Sequence, residues 1–344
     1  LAAHDQVTVG VSLGRLIMGR ELEVRRIGIT GAALDLRRDD AGWWFQDALI
    51  LPSANADTDA EAGDGEAAVR VPQGLQLPLG DSLDLTLEDI ALRYEDRGNG
   101  REPLSFDLES AGVRLDDREL RVDATMTPGA DEARVSVLIA GELADRNLDG
   151  LIGGDWSLST DIEQVSADLM RRILPPNWRL PQSGRTNVEA DAELRGGALM
   201  AAVVALDAER LVPPDGGDES IVAGRIEWSS NDGGWLLAVS DFVVGVADRQ
   251  WPAANLTLQF EDGADADTLR VDAANVTVYD VPYLASFLPG RWAQALRDSG
   301  VSGTLRAGNG QVRFAPDQNP ARPGLDALND YELHASFAGL GLAP

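Results

Sequence analysis

Cysteine and lysine are both missing from the 344-residue chain, and histidine is reduced to His4 and His334. Without cysteine there are no disulfides, thiol nucleophiles or thiolate metal sites, and the chain suits either redox compartment. Without lysine there is no Schiff-base or P-loop chemistry. Two histidines cannot build a multi-histidine metal centre, so acid–base work would fall to carboxylates. Positive charge is scarce as well: 29 basic residues, all arginine, stand against 57 acidic ones, a net charge of −28. That balance excludes a phosphate-tracking surface and with it nucleic acid as a partner. Apolar runs are only a few residues long, far short of the ~20 needed to cross a bilayer as a helix. The chain opens on Leu1 rather than methionine, which reads as a section of something longer.

What is present is β-strand, in quantity. Leu120, Val122, Ala124 and Met126 alternate with charged or hydroxyl residues; so do Val135, Val137 and Ile139, then Val188, Ala190, Ala192 and Leu194, then Leu256, Leu258 and Phe260. Period-2 alternation gives each strand one apolar and one wet face. Turn clusters such as Asp39-Asp40-Ala41-Gly42, Arg195-Gly196-Gly197 and Asn231-Asp232-Gly233-Gly234 separate the runs and predict a long antiparallel meander. In two runs the alternation changes phase. Leu83, Leu85 and Leu87 give way to Ile90, Leu92 and Tyr94, and Leu269, Val271 and Ala273 to Val276 and Val278. One extra residue at Glu88-Asp89 and at Ala273-Ala274 would restore a single face as a β-bulge; two short kinked strands are the alternative.

Two segments, Val165 to Leu174 and Pro282 to Asp298, carry helical spacing instead. They share Leu-Pro-x-x-Trp (Leu174 to Trp178, Leu288 to Trp292) at a separation of 288 − 174 = 114 residues, and each leads into a new alternating run through Gly184 or Gly303. This reads as an internal repeat of several strands plus one short helix. The chain then divides into a first β unit over 1–164, a second over 165–280 that starts with a short helix, and the start of a third over 281–344, all in one continuous sheet. Within the first, 54–66 is small, acidic and aperiodic, and reads as a disordered surface loop.

Candidate chemistry is thin. Gly10-Val11-Ser12-Leu13-Gly14 spells a nucleophile elbow, but the elbow needs a helix after the serine, and β alternation lies on both sides. Asp145, Asn147, Asp149 and Gly150 match the first half of a calcium loop; Trp156 stands where the bidentate acid belongs, so a plain acidic turn is the better reading and no metal is expected. Asp265 and Asp267 are weaker still. A carboxylate-based glycosidase would want aromatic rings in a cleft, yet the eight tryptophans are scattered, several beside turns (Trp43, Trp44, Trp228, Trp235), and read as edge and core packing. Neither a cofactor nor an enzymatic activity is expected.

So much one-faced strand must cover its apolar side, and two short helices cannot do it. Two sheets packed as a sandwich, a closed barrel, or a curved sheet filled by something else, such as lipid, all satisfy the pattern. The inner positions are Leu, Val, Ile and Ala, which suit acyl chains better than a polar metabolite.

The run Ile29-Thr30-Gly31-Ala32-Ala33-Leu34-Asp35-Leu36-Arg37-Arg38-Asp39-Asp40-Ala41-Gly42-Trp43-Trp44 resembles the hairpin of the AsmA-like proteins of Gram-negative envelopes, in particular the YhdP family. Leu92-Arg93-Tyr94-Glu95-Asp96, Gly224 to Trp228, Gly234 to Leu237 and Val281 to Leu284 through Gly303 are similar in order and spacing, so the resemblance covers nearly the whole chain. It implies an all-β fold with two short helices: an elongated, twisted antiparallel sheet curved like a taco shell into an apolar groove of repeating units, as in the chorein-type bridge proteins. It also implies a periplasmic section of a longer protein anchored in the inner membrane by an N-terminal helix absent from this sequence. The expected function is non-enzymatic transport of phospholipid between inner and outer membranes, with acyl chains as the partners in the groove, outer-membrane or other envelope proteins as further partners, and outer-membrane barrier integrity as the outcome.

The residues expected to face the groove are Leu83, Leu85, Leu87, Ile90, Leu92, Val122, Val135, Val137, Ile139, Val188, Leu237, Val239, Leu256, Leu258, Val271 and Phe337. Leu169 and Leu174 in the first helix, and Leu284, Phe287 and Leu296 in the second, are expected to lie over its mouth or edge. The rival reading is an assembly factor that scaffolds outer-membrane proteins, its strands packed as a dry sandwich with an edge offered to partners.

Overall fold

The computed structural model describes residues 6–11, 24–39, 42–45, 48–52, 79–97, 102–129, 131–144, 153–174, 179–214, 216–231, 233–246, 249–263, 266–277, 301–314 and 328–342. These are almost entirely strand, in two compact units, Leu1–Leu151 and Ile152–Pro344.

In unit 1 the strands are β1 (Gln6–Val11), β2 (Val24–Thr30), β3 (Ala33–Asp39), β4 (Gly42–Phe45), β5 (Ala48–Pro52), β6 (Leu79–Asp96), β7 (Leu104–Asp116), β8 (Glu119–Pro128) and β9 (Arg134–Glu142). β6 to β9 form an antiparallel meander. The other edge of β6 is shared by β2 and then β3, both parallel to it, with β1 antiparallel on β2 and β4 and β5 extending from β3. The change from β2 to β3 falls at Gly31, whose φ of 77° the absence of a side chain permits. It lies beside Asp89 of β6, itself left-handed (φ 52°), and the two strands are stitched there by Gly31 N to Glu88 O (3.1 Å) and Ala91 N to Ala32 O (3.0 Å).

Unit 2 contains β10 (Asp155–Ser166), the helix α1 (Ala167–Ile173), β11 (Ser183–Arg195), β12 (Ala198–Val212), β13 (Ser220–Asn231), β14 (Gly234–Val246), β15 (Arg249–Gln250), β16 (Ala254–Glu261), β17 (Asp267–Thr277), β18 (Val301–Phe314) and β19 (Leu328–Leu342). Every pairing is antiparallel and between successive long strands, with the two-residue β15 folded onto the end of β14. Within each unit, strand-to-strand contacts run between sheet neighbours, so each unit is one open layer rather than a sandwich.

The helical spacing from Val165 is realised as α1, two residues later than the pattern starts. Val165 is still in β10, and Ser166 caps the helix by accepting from Leu169 N (3.1 Å). Asp168 in the first turn and Arg171 and Arg172 in the last suit the helix dipole, and Arg171 also donates to the carbonyl oxygens of Pro181 and Gln182, tying the helix to the chain that returns into β11. Pro175-Pro176 cannot continue a helix. The second helical segment, with Leu284, Phe287 and Leu296, lies outside the described residues, as do the acidic loop 54–66 and the calcium-like turn of Asp145, Asn147 and Asp149. Of the elbow-like motif, Gly10 and Val11 end β1 as ordinary strand, and Ser12 onward lies outside the described residues.

The phase changes are bulges. Left-handed residues stand inside long strands at Asp89 in β6, Gln164 in β10, Arg210 in β12, Asp241 in β14 and Asn275 in β17, with φ between 52° and 56°. The pattern at Glu88-Asp89 is met at Asp89, and that at Ala273-Ala274 one residue on, at Asn275. In unit 2 these four lie on alternate long strands, all running the same way, while among the described residues the strands between them carry no positive-φ residue except Gly184 (φ 124°) near the start of β11. Two are fixed from the next strand by asparagine: Gln164 N donates to Asn187 Oδ1 (2.8 Å) and Asp241 N to Asn255 Oδ1 (3.1 Å). The side-chain acceptor satisfies a backbone donor that the bulge removes from the ladder.

Candidate functional site

Residues directly opposite in a ladder share a face, so the register sorts the apolar positions. In unit 1 one row runs Val7, Ile29, Leu87, Ala111, Ala124, Val137, and the next Val9, Ile27, Leu85, Val113, Val122, Ile139. Leu83 pairs with Leu115, Leu92 with Phe106, and Ile90, Leu108, Met126 and Val135 follow one another across four strands. In unit 2 a row runs Ala192, Ala202, Trp228, Leu237, Leu258, Val271, and beside it lies Ala190, Val204, Ile226, Val239, Leu256, Ala273. Val188 pairs with Leu206, and Phe337 with Leu305. All sixteen strand residues singled out in the sequence therefore lie on the apolar face of their own unit.

That face is only partly out of water. Ile90 is 1% exposed, but Leu83, Leu85, Leu87, Leu92, Val122, Val135, Val137 and Ile139 are half-buried, as are Val188, Leu237, Val239, Leu256, Leu258 and Val271. Ile226, mid-strand in β13, is 43% exposed, and Leu333 on β19 is 72% exposed. Neighbours on the same sheet shield these side chains from the flanks, but nothing among the described residues covers them from above. Full burial in unit 2 falls at both ends of the strands: Val165, Ala167, Leu169, Ala208, Leu211 and Val244 at the end that carries α1 and the bulges, and Phe260 and Phe314 at the opposite, hairpin end. Leu169 is therefore a packing residue of the α1 end, while Leu174 is half-buried just past α1.

The aromatics are less scattered than their numbers in the chain imply. Trp228, Trp235 and Phe260 come from three adjacent strands and stack on the apolar face, with centroids 5.3 and 5.9 Å apart. In unit 1, Trp43 stacks on Tyr94 at 5.9 Å, Arg38 and Arg37 lie over Trp43 and Trp44 at 5.6 and 4.7 Å, and Trp44 Nε1 donates to Asp39 Oδ1 (2.9 Å). Neither cluster was readable from spacing alone, because each needs the strand register.

The opposite face is polar. Asp84 lies between Arg26 (3.2 Å) and Arg114 (3.8 Å); Arg134 meets Glu109, Arg225 meets Glu227, and Arg270 meets Glu261. Such exposed pairs add at most about 1 kcal/mol each and serve mainly to keep the face wet. A hydrogen bond from Arg97 holds the Glu95 carboxyl below its ordinary range, and Glu95 in turn raises Arg97. His334 meets Glu332 Oε1 at 2.9 Å on this side. Among the described residues no group of three or more His, Asp or Glu is placed to hold a metal ion, and no helix is long and apolar enough to cross a membrane.

The model of the family described as YhdP protein matches residues 2–344. The chain belongs to the YhdP family. Comparison with the curated proteins and with the solved structures finds no match. Membership of the YhdP family agrees with the AsmA-like resemblance of the Ile29 to Trp44 hairpin, which here forms the end of β2, β3 and β4. It points to a role related to lipid transport, and the apolar face is the feature of this YhdP-family chain on which such a role would rest.

Proposed function

We propose that this chain is a section of a lipid-carrying trough: phospholipid acyl chains lie on the apolar face of the strands, head groups stay in water, and the lipid passes between the inner and outer membranes of a Gram-negative envelope. The protein works in the periplasm, held by an inner-membrane anchor elsewhere in the full-length chain, and does no covalent chemistry. The observation that carries this reading is the incomplete burial of mid-sheet apolar residues such as Leu85, Val137 and Leu258, with Ile226 43% exposed. Apolar surface left in water costs about 25 cal/mol per Å², and contiguous apolar patches beyond a few hundred Å² on soluble proteins mark binding sites. An acyl chain satisfies such a face without directional contacts, which is what sliding along it requires.

The test is the lipid content of the purified chain. Mass spectrometry of organic extracts should find stoichiometric phospholipid, and Leu258→Asp or Val137→Asp should remove it while the β-sheet circular dichroism persists. A chain with no lipid in either form would favour the assembly-factor reading instead.

A further inference from the structure

β12 is apolar at every position from Ala198 to Leu206, so it presents hydrocarbon on both sides of the sheet. A strand that reads this way is normally covered on both faces. Its positions Ala202 and Val204 belong to the apolar rows described above. On the opposite, polar face Ala201, Val203 and Ala205 lead across β13 to β14: through Ser229 to Leu236, through Glu227 to Ala238, and through Arg225 to Ser240. The only charges in these three rows from β12 to β14 are Arg225 and Glu227, and they cancel in an ion pair of 2.7 Å. Leu236 is 37% exposed. In a chain of net charge −28 this is a neutral, largely apolar patch on the side that is elsewhere charged. The same rows continue onto β11 as Glu193, Asp191 and Glu189, directly opposite Ala201, Val203 and Ala205. All three carboxylates are exposed, and none meets a cation among the described residues.

From this arrangement we propose that the polar face of unit 2 carries a docking site over β12 to β14 for a basic amphipathic α-helix of a partner protein. The apolar stripe of the helix lies on Ala201, Val203, Leu236 and Ala238, and its cations meet Glu189, Asp191 and Glu193. The carboxylates select this occupant. They stand two residues apart along a strand, about 6.6 Å at ~3.3 Å per residue, while cations at i, i+4 and i+8 of a helix stand about 6 Å apart at ~1.5 Å per residue. Over the three charges the mismatch is about 1 Å, which a long lysine or arginine side chain absorbs. A helix about 10–12 Å across covers two strands spaced ~4.8 Å apart, so one seated along β12 and β13 reaches β11 with its basic edge. A second copy of the chain, itself at −28, is repelled at long range. The site lies on the other side of the sheet from the face assigned to lipid, so it is independent of the lipid-carrying reading. A partner held there leaves the apolar face open.

The probe is a synthetic helix of about 18 residues, long enough to hold its own structure, with leucine and alanine on one face and lysine at i, i+4 and i+8 along one edge. It is titrated against the purified chain by fluorescence anisotropy, beside a peptide of the same composition with its lysines spread round the helix. The designed peptide should bind about tenfold more tightly than the control, the worth of three aligned exposed pairs; equal binding, or none, overturns the proposal. Glu189→Gln, Asp191→Asn and Glu193→Gln together should weaken the designed peptide about tenfold, about two- to threefold for each exposed pair, with circular dichroism unchanged. The same number of acids neutralised on the polar face of β17 and β19, Asp272→Asn, Asp330→Asn and Glu332→Gln, should leave its binding unaltered. An equal loss in both triple variants reduces the interaction to general attraction toward an acidic chain and refutes the site. A photoreactive leucine on the peptide's apolar face, mapped by mass spectrometry, should mark Val203, Leu236 and Ala238. Label on Ile226, Leu237 and Leu258 instead places the helix on the apolar face and overturns the assignment.

Discussion

Val239 and Val244 lie five residues apart on β14, and the same substitution at each should have opposite consequences. Val244 is 1% exposed. Aspartate there forfeits about 1.5–2 kcal/mol of side-chain burial and places a carboxylate where water cannot reach it, a further cost of several kcal/mol; the total exceeds ~4 kcal/mol, a large part of the 5–15 kcal/mol that holds a typical domain together. Val239 is half-buried by its sheet neighbours and open on the apolar side. A carboxylate there stays hydrated, so Val239→Asp should cost only about 1 kcal/mol. Covering that carboxylate with hydrocarbon is another matter: losing even ~3 kcal/mol of its hydration weakens lipid binding by more than a hundredfold. Urea unfolding followed by tryptophan fluorescence, together with phospholipid per chain after purification, reads both effects. If V239D is as destabilised as V244D, the face is covered and the open-layer argument fails. If V239D keeps its full complement of lipid, the lipid does not lie on this face.

Other expectations follow from single positions. Gly234 has φ 145°, and a Cβ there would collide with the Phe260 carbonyl oxygen; Gly234→Ala should cost more than about 2 kcal/mol and disturb the Trp235 and Phe260 stack, visible in near-ultraviolet circular dichroism. Arg210 holds φ 53°, where its Cβ crowds the backbone at a cost of about 1–2 kcal/mol that glycine lacks, so Arg210→Gly should raise stability by up to about 1 kcal/mol in urea titrations, despite the entropy glycine adds to the unfolded chain. Glu95, held below its ordinary pKa by Arg97, contributes stability that is present above its unfolded pKa and is lost as pH falls through the lowered folded one. In Arg97→Gln an NMR titration should show the Glu95 midpoint moving up; an unmoved midpoint would remove the assigned cause.

Most of the fold is legible in the sequence because one rule, period-2 alternation, writes nearly all of it. The Leu87 to Ile90 phase change was readable as a bulge since both halves are strongly apolar. The bulges at Gln164, Arg210 and Asp241 follow the same logic but were hidden, because glutamine and arginine do not announce a left-handed backbone and the alternation around them is weak, carried just before Arg210 by no more than Ala208. Alternation identifies which face Leu258 or Val137 occupies; it cannot tell what lies over that face, so sandwich and open layer were equivalent until the register and burial were known. The Trp228, Trp235 and Phe260 stack was invisible for a related reason: its members, up to 260 − 228 = 32 residues apart, meet only if three strands keep one alignment.

The alternation of bulged and plain strands in unit 2 has a bearing on how such a sheet lengthens and how it fails. A descending strand with its left-handed residue and the plain strand that returns make a two-strand module whose contacts reach only its neighbours, so its stability is that of a chain of linked modules rather than of a single core. Removing or inserting one whole module leaves the face and the line of bulges in step, whereas a single strand would break both. Opening, likewise, can proceed module by module, so amide exchange in the 344-residue chain would grade inward from β19, the last described strand, instead of reporting one global event.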